Sequence, residues 1–130
     1  MPLKKNSDEF VFRKKKDGSL ELVGDFDAVY RNRIDPWSQS AASNDGWQEY
    51  YQHSRSKILN AINPTDKYIL EVGCGIGYVI DFLNKNTDNC IIDGMDISNE
   101  AIKIANKTFP SSHFIVGDIT NKNILLQKKY

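Results

Sequence analysis

Three glycines and three carboxylates of this chain have the types and spacing to bind a nucleotide cofactor. A glycine at a tight turn lets the backbone approach a ligand with no side chain between them. Carboxylates at strand ends accept hydrogen bonds from ribose hydroxyls or from an ammonium group. The set comprises Glu71, Gly73, Gly75, Gly77, Asp96 and Asp118.

Strand and helix patterns flank these residues. An apolar run over Lys67–Val72 is typical of a buried parallel strand, and apolar residues then recur at helical spacing from Tyr78 to Leu83. Further along the chain, the patterns predict a strand, a helix capped by Ser98 and another strand, over Cys90–Asp96, Ser98–Lys107 and His113–Asp118.

The order of elements predicts an α/β fold. A last helix is predicted to begin at Ile124 and reach Lys128, so the order from Tyr68 onward is βαβαβα. Such alternation implies a parallel sheet with right-handed crossovers. Ligands bind beyond the carboxyl ends of such strands, where the glycine turn, Asp96 and Asp118 are predicted to lie.

Composition limits the classes of partner. With 130 residues, 40% of them hydrophobic, the chain can form one core. Lys plus Arg and Asp plus Glu number 17 each, so no net field favours nucleic acid or an anionic membrane. Cys74 and Cys90 suggest neither a disulfide frame nor a metal site. No apolar run is long enough for a signal peptide or a membrane span, which predicts a cytoplasmic protein.

Residues 1–64 are predicted to form a hairpin and a helical cap in front of the sheet region, 65–130. Strands over Phe10–Arg13 and Leu20–Val23 flank an Asp17–Gly18 turn. The basic run Arg13–Lys16 at its tip is either solvated or a phosphate-binding patch.

The cap is predicted to contain two helices. The first begins at Phe26 and ends before Pro36, and the second covers Asp45–Ile62 with Ser43 or Asn44 as its cap. Its apolar face is predicted from Trp47, Tyr50, Tyr51, Ile58 and Ile62.

The glycine pattern distinguishes between classes of cofactor. Dinucleotide sites use G-x-G-x-x-G, and Tyr78 stands where the third glycine belongs. Glu71, two positions before the first glycine, is a poor neighbour for a pyrophosphate. It suits a cofactor with a positive centre and an amino group.

Three segments resemble the first three motifs of the Rossmann-like (class I) S-adenosylmethionine-dependent methyltransferases. They are Leu70–Tyr78, Gly94–Ser98 and Val116–Ile119, and the resemblance covers residues 66–120. It implies S-adenosylmethionine as cofactor, with S-adenosylhomocysteine as product. The turn Gly73–Gly77 would hold the methionine portion, with Cys74 as a small filler of the turn and Glu71 organising the amino group.

The same resemblance implies contacts for the adenosine portion. Asp96 would bind the ribose diol, with Ile97 against the adenine. Asp118 would accept a hydrogen bond from the adenine amino group, while the backbone of Ile119 meets the ring.

The N-terminal region is similar to that of the nodulation-protein-S-like methyltransferases, through Tyr30, Asp35–Trp37 and the helix from Tyr50 to Ile62. Such enzymes act on amino or hydroxyl groups of small or sugar-containing acceptors. The resemblance implies that Trp37, Tyr51 and Arg55 line the site. One aromatic ring would lie near the sulfonium, and Arg55 would pair with the methionine carboxylate. The alternative is that the aromatic residues are core of the cap and Arg55 is a surface charge.

The family's sheet has seven strands, and this sequence ends at Tyr130, where the fourth is expected. We therefore expect a βαβαβ half of the fold, with an unpaired edge that invites self-association. Two alternatives stay open beside a methyltransferase: a cofactor-binding fragment without turnover, and an NAD-binding oxidoreductase fragment.

Overall fold

A computed structural model describes residues 8–40, 46–124, 126 and 128–130 of the chain. These residues form five helices and five strands. The helices are α1 (Asp8–Val11), α2 (Phe26–Asn32), α3 (Trp47–Ala61), α4 (Tyr78–Asn86) and α5 (Asn99–Thr108). The strands are β1 (Phe12–Lys14), β2 (Leu20–Leu22), β3 (Tyr68–Val72), β4 (Ile91–Asp96) and β5 (His113–Val116). No helix of the described residues is long and apolar enough to span a bilayer.

The predicted parallel sheet is confirmed. Its three strands lie in the order β3-β4-β5, and Val72 pairs with Met95 while Asp96 pairs with Val116. This register brings the carboxyl ends of all three strands to one edge. Within the described residues β3 pairs on one side only.

The hydrophobic core lies between the sheet and the helices α4 and α5. Their buried side chains recur at helical spacing and meet the inward residues of the central strand. The core residues are Cys74, Ile80, Leu83, Ile92, Ile102, Ala105 and Phe114. Ser98 caps α5 as predicted, since its hydroxyl accepts a hydrogen bond from the Ala101 N–H at 3.1 Å.

The N-terminal hairpin is present but shorter than predicted. β1 and β2 are antiparallel, with Phe12 opposite Leu22. Phe10 and Val11 belong to α1, not to the first strand. The reason is that their carbonyl groups accept hydrogen bonds from the chain leaving the hairpin, Val11 from the N–H of Val23 and Phe10 from that of Asp25.

The second cap helix begins later and buries less than predicted. α3 starts at Trp47 after Gly46, whose φ of 81° allows the chain to turn. The predicted caps Ser43 and Asn44, and Asp45, lie outside the described residues. The predicted apolar face is wrong in part, because Trp47, Tyr50 and Ile58 are exposed. Ile62 contacts the core as predicted, together with Leu59, which the pattern did not include.

The predicted helix at Ile124–Lys128 is wrong. Ile124, Leu126 and Lys128 are not helical, and Leu125 and Gln127 lie outside the described residues. Lys128 Nζ and Tyr130 Oη each donate to Oδ2 of Asp93 at 2.6 Å. Because Asp93 is buried in the central strand, its unpaired charge would be costly, and these bonds draw the segment across the sheet.

Candidate functional site

A cavity of about 330 Å³ lies at the carboxyl ends of β3, β4 and β5. Residues from the sheet form its floor, and residues from α2 and the following loop form its opposite wall. Its lining consists of Phe26, Tyr30, Trp37, Gln39, Val72, Gly73, Gly75, Asp96, Ile97, Gly117, Asp118 and Ile119.

The glycine turn after β3 is fastened to the end of β4. The backbone N–H groups of Gly73 and Cys74 both donate to the Met95 carbonyl, at 2.8 and 2.9 Å. The N–H of Gly75 donates to Oδ2 of Asp96 at 2.8 Å. This path requires φ values of 78° at Gly73 and 54° at Gly75, which glycine adopts without steric cost.

Asp96 holds two backbone segments together from a buried position. While Oδ2 binds the glycine turn, Oδ1 accepts from the N–H of Ser98 at 2.8 Å. Each carboxylate oxygen has two lone pairs, so Asp96 can accept two further hydrogen bonds from a ligand. Asp96 therefore combines a structural role with the capacity to bind a diol.

Asp118, Ile97 and Ile119 are grouped at one end of the cavity. Oδ1 of Asp118 accepts from the N–H and the hydroxyl of Thr120, at 2.9 and 2.7 Å, and these bonds lower the pKa of its carboxyl group. The side chains of Ile97 and Ile119 are about half exposed. They offer apolar surface that a planar ring would cover.

The wall opposite the sheet is tied down by Asp27 of α2. Its Oδ1 accepts from the Ser98 hydroxyl at 2.6 Å and from the Glu100 N–H at 3.1 Å, which lowers the pKa of Asp27. The ring centroids of Tyr30 and Trp37 lie 5.5 Å apart on this wall. The cavity therefore lies between residues of the cap segment, 1–64, and residues of the sheet segment, 65–130. The boundary between these two segments stays a prediction.

Hydrogen bonds from three side chains fix the backbone of the loop after α2. The carboxylate of Asp35 accepts from the N–H groups of Gln39 and Ser40, each at 2.8 Å. From α3, Arg55 Nη2 donates to the Gln39 carbonyl at 3.1 Å, and the Tyr51 hydroxyl donates to the Trp37 carbonyl. Tyr51 and Arg55 therefore act on the loop that carries Trp37 and Gln39.

Three buried polar atoms around the cavity have no hydrogen-bond partner among the described residues. They are Oε2 of Glu71, Nε of Arg55 and Oε1 of Gln39. Burial and, to a lesser extent, the charge of Asp96 raise the pKa of Glu71 to about 7, against an opposing effect of Arg55. The oxygens of Glu71 and Gln39 are acceptors that lack a donor, and Nε of Arg55 is a donor that lacks an acceptor.

The structure brings together most, but not all, of the predicted site residues. The predicted residues that line the cavity are Gly73, Gly75, Asp96, Ile97, Asp118 and Ile119, with Trp37 from the cap. The predicted residues that do not line it are Glu71, Cys74, Gly77, Arg55 and Tyr51.

Cys74 and Gly77 belong to the glycine turn but pack against the core and not against the cavity. Cys74 is buried against Gly94, and burial raises the pKa of its thiol. A Cβ atom at Gly77 would lie 2.6 Å from the Phe114 ring. Both positions therefore shape the turn through packing.

We expect Gly77→Ala to destabilise the fold far more than Gly73→Ala. At Gly77 (φ 90°) the added methyl meets the buried ring, which costs about 2–4 kcal/mol when overpacking and left-handed strain are combined. At Gly73 (φ 78°) nothing lies within 4 Å of the added atom, so strain alone remains, about 1–2 kcal/mol. Urea unfolding of both variants measures the difference. Equal losses would show that Phe114 does not confine this turn.

The sequence did not mark Gln39, Phe26, Tyr30, Val72 and Gly117 as cavity residues. No motif marks Gln39, because its position depends on the hydrogen bonds of Asp35 and Arg55 to its backbone. Phe26 and Val72 were assigned to a helix and a strand, and only their place at the element ends brings them to the cavity.

Comparison with known proteins agrees with this geometry. Residues 69–129 match the family model described as "Methyltransferase domain". The chain is 33% identical over 98 residues to the putative methyltransferase 235L of Invertebrate iridescent virus 6, covering 75% of this chain and 36% of that protein. It is 32% identical over 99 residues to malonyl-(acyl-carrier protein) O-methyltransferase 1 of Ilyobacter polytropus, covering 72% and 36%.

Comparison with solved structures supports the same fold. DesVI of Streptomyces venezuelae superposes with a TM-score of 0.54 at 23% identity, over 65% of this chain and 36% of that protein. The chain thus spans about a third of the length of the curated relatives that it matches. Since the sequence matches and the shared fold agree, this chain belongs to the Rossmann-like (class I) S-adenosylmethionine-dependent methyltransferases.

Proposed function

We propose that the cavity binds S-adenosylmethionine and its product S-adenosylhomocysteine, as the donor site of a methyltransferase. The observation that carries the proposal is the set of unpartnered atoms on Gln39, which lines the cavity, and on Glu71 and Arg55, which adjoin the lining residues Val72 and Gln39. Two acceptors and one donor match the ammonium and the carboxylate of an amino acid. A buried polar atom without a partner costs about 1–3 kcal/mol, so a ligand that pairs all three gains affinity.

The other end of the cavity suits an adenosine. Asp96 has lone pairs left for the two ribose hydroxyls, and Ile97 and Ile119 offer apolar surface for a flat ring. Asp118 lies at the same end, where its carboxylate can accept from an exocyclic amino group. Gly73 is the position where the backbone would approach the cofactor most closely, because no atom lies within 4 Å of the place of its missing Cβ.

Bound S-adenosylmethionine supplies a methyl group already activated by the sulfonium. The protein has to align donor and acceptor and exclude water. Trp37 lines the cavity, and an aromatic face is a favourable neighbour for a cation. Glu71 and Arg55 would fix the amino-acid end, and we assign no catalytic base.

An NAD-binding oxidoreductase is the second candidate, and Tyr78 disfavours it. This residue replaces the third glycine of a dinucleotide site, and its ring packs edge-on against Phe109 at 5.0 Å. A pyrophosphate would also lie close to Glu71. A cofactor-binding fragment without turnover is compatible with every contact described above, and only an assay separates it from an enzyme.

Three finer parts of the proposal rest on the sequence alone. The acceptor is a small or sugar-containing molecule that is methylated on nitrogen or oxygen. The chain belongs to the nodulation-protein-S-like subfamily, and the protein is cytoplasmic. Free thiols at Cys74 and Cys90 are compatible with that location. Self-association through the outer edge of β3 is a further part of the proposal, because an open strand edge can pair with another chain.

Calorimetric titration with S-adenosylhomocysteine tests the donor site. We expect binding at one site per chain, and no heat of binding would contradict the proposal. A turnover assay that follows release of S-adenosylhomocysteine from S-adenosylmethionine, over a panel of amine and alcohol acceptors, then separates an enzyme from a binder.

A further inference from the structure

A second cavity lies beside the proposed donor site. Its volume is about 310 Å³, and it is lined by Arg33, Pro36, Trp37, Ser38, Trp47 and Tyr51. Trp37 also lines the donor cavity, so the two cavities share this residue. We propose that this second cavity, here called the aromatic pocket, binds the methyl acceptor as a planar aromatic ring that carries an anionic group. This inference rests on the proposed function of the donor site.

The walls of the aromatic pocket offer ring surface on several sides. Trp37, Trp47 and Tyr51 contribute three rings, and the centroids of Trp47 and Tyr50 lie 5.9 Å apart in an edge contact just outside. Indole and phenol rings prefer to stack on or abut another ring. A flat, unsaturated acceptor therefore fits this lining better than a flexible polar one.

Arg33 supplies the charge at the aromatic pocket. No carboxylate of the described residues lies within ion-pair distance of its guanidinium, whereas Arg31, two positions earlier, pairs with Asp25 at 3.9 Å. A guanidinium binds a carboxylate or a phosphate through two parallel hydrogen bonds. The acceptor is therefore expected to be an anion, with its charge directed to Arg33.

The backbone between the two cavities is firmly placed. Ser38 is buried and has a φ of 56°, a left-handed conformation that few residues other than glycine adopt. It reverses the chain between Trp37, which lines both cavities, and Gln39, which lines the first. The Tyr51 hydroxyl, from the wall of the aromatic pocket, donates to the Trp37 carbonyl. A ligand in the aromatic pocket would therefore contact Trp37, the residue that also lines the donor cavity.

The test uses 2-naphthoate as the probe and neutral 2-naphthamide as its matched control. Each is titrated into the full chain saturated with S-adenosylhomocysteine and followed by calorimetry. We expect 2-naphthoate to bind about three- to fivefold more tightly than 2-naphthamide, because the site is partly exposed and the charge partly screened. Arg33→Gln should remove this difference by weakening 2-naphthoate alone. Arg31→Gln makes the same change of charge outside the pocket and should leave both affinities within about twofold.

Three results would overturn the acceptor proposal. They are equal affinity of the two probes, an unchanged affinity of Arg33→Gln for 2-naphthoate, and displacement of 2-naphthoate by S-adenosylhomocysteine. Failure of S-adenosylhomocysteine itself to bind is measured first and counts against the donor site instead. A third probe, 2-naphthyl phosphate, is compared with 2-naphthoate to show which anion the pocket prefers, and it does not replace the comparison with 2-naphthamide.

Discussion

Replacing Asp96 with alanine will weaken the binding of S-adenosylhomocysteine about 10- to 100-fold, since a buried partner of two hydroxyls is lost. The effect has a second source in the structure. The two oxygens of Asp96 hold the N–H groups of Gly75 and Ser98, at 2.8 Å each. Without them the glycine turn and the start of α5 lose their common anchor, so the cavity loses shape as well as a ligand contact.

Asp96→Asn separates these two roles. It keeps one acceptor oxygen in nearly the same volume, but its NH2 group opposes one of the two backbone donors. We expect it to bind more weakly than the native chain and to unfold at a lower urea concentration. Asp81→Ala is the control, because Asp81 pairs with Lys85 on α4 and does not line the cavity. Native affinity in Asp96→Ala, measured by calorimetry on folded protein, would remove Asp96 from the site.

The second large effect is a loss of cofactor affinity at acidic pH, caused by Glu71. In the ligand-free protein its pKa is raised to about 7, mainly by burial. An ammonium group binds the ionised carboxylate, so binding below pH 7 must first release a proton. We expect the affinity for S-adenosylhomocysteine to fall at least about 10-fold from pH 7.5 to pH 5.5, as one-proton linkage requires.

Glu71→Gln should remove this pH dependence, because its side chain does not titrate. The variant should bind more weakly at pH 7.5 but change little in affinity between pH 5.5 and 7.5. Calorimetry at several pH values, in buffers of different ionisation heat, counts the proton released by the native chain. A pH-independent affinity in the native chain would contradict a role for Glu71 at the ammonium.

The same substitution should stabilise the ligand-free protein. A carboxyl whose folded pKa lies above its unfolded value of 4.5 destabilises the fold progressively as pH rises from 4.5 to about 7, because ionisation then favours the unfolded chain. The shift from 4.5 to about 7 corresponds to a destabilisation of about 3–4 kcal/mol above pH 7, at ~1.4 kcal/mol per pKa unit. Glu71→Gln should recover part of this free energy of unfolding at pH 8. A less stable variant would show that Glu71 has a partner when the site is empty.

Strand and helix order in the sheet region was predictable because β3 and β4 each contain a short apolar run and the buried residues of α4 and α5 recur at helical spacing. Ser98 was identifiable as a cap for the same reason, since capping is a local interaction. The helix predicted at Ile124–Lys128 failed because a distant residue decides that segment. Asp93, buried in the central strand, binds Lys128 and Tyr130, and no pattern near Ile124 announces that bond.

The residues of the candidate site likewise fall into those that local sequence predicts and those that distant contacts place. Gly73, Gly75, Asp96 and Asp118 were found because each lies next to a strand end, where topology alone brings residues together. Gln39 was not found, because it reaches the cavity through a loop set by Asp35, Arg55 and the left-handed Ser38. Trp47, Tyr50 and Ile58 of α3 were misassigned because the core is contacted only near the C-terminal end of the helix, at Leu59 and at the correctly predicted Ile62 that follows it.

The central claim is that this cavity recognises S-adenosylmethionine and not a dinucleotide. Thermal unfolding with S-adenosylhomocysteine or NAD, at equal concentration and pH 8, tests it most directly, because a ligand of the native state raises Tm by mass action. We predict a higher Tm with S-adenosylhomocysteine and an unchanged Tm with NAD. A higher Tm with NAD, together with none from S-adenosylhomocysteine, would contradict the claim.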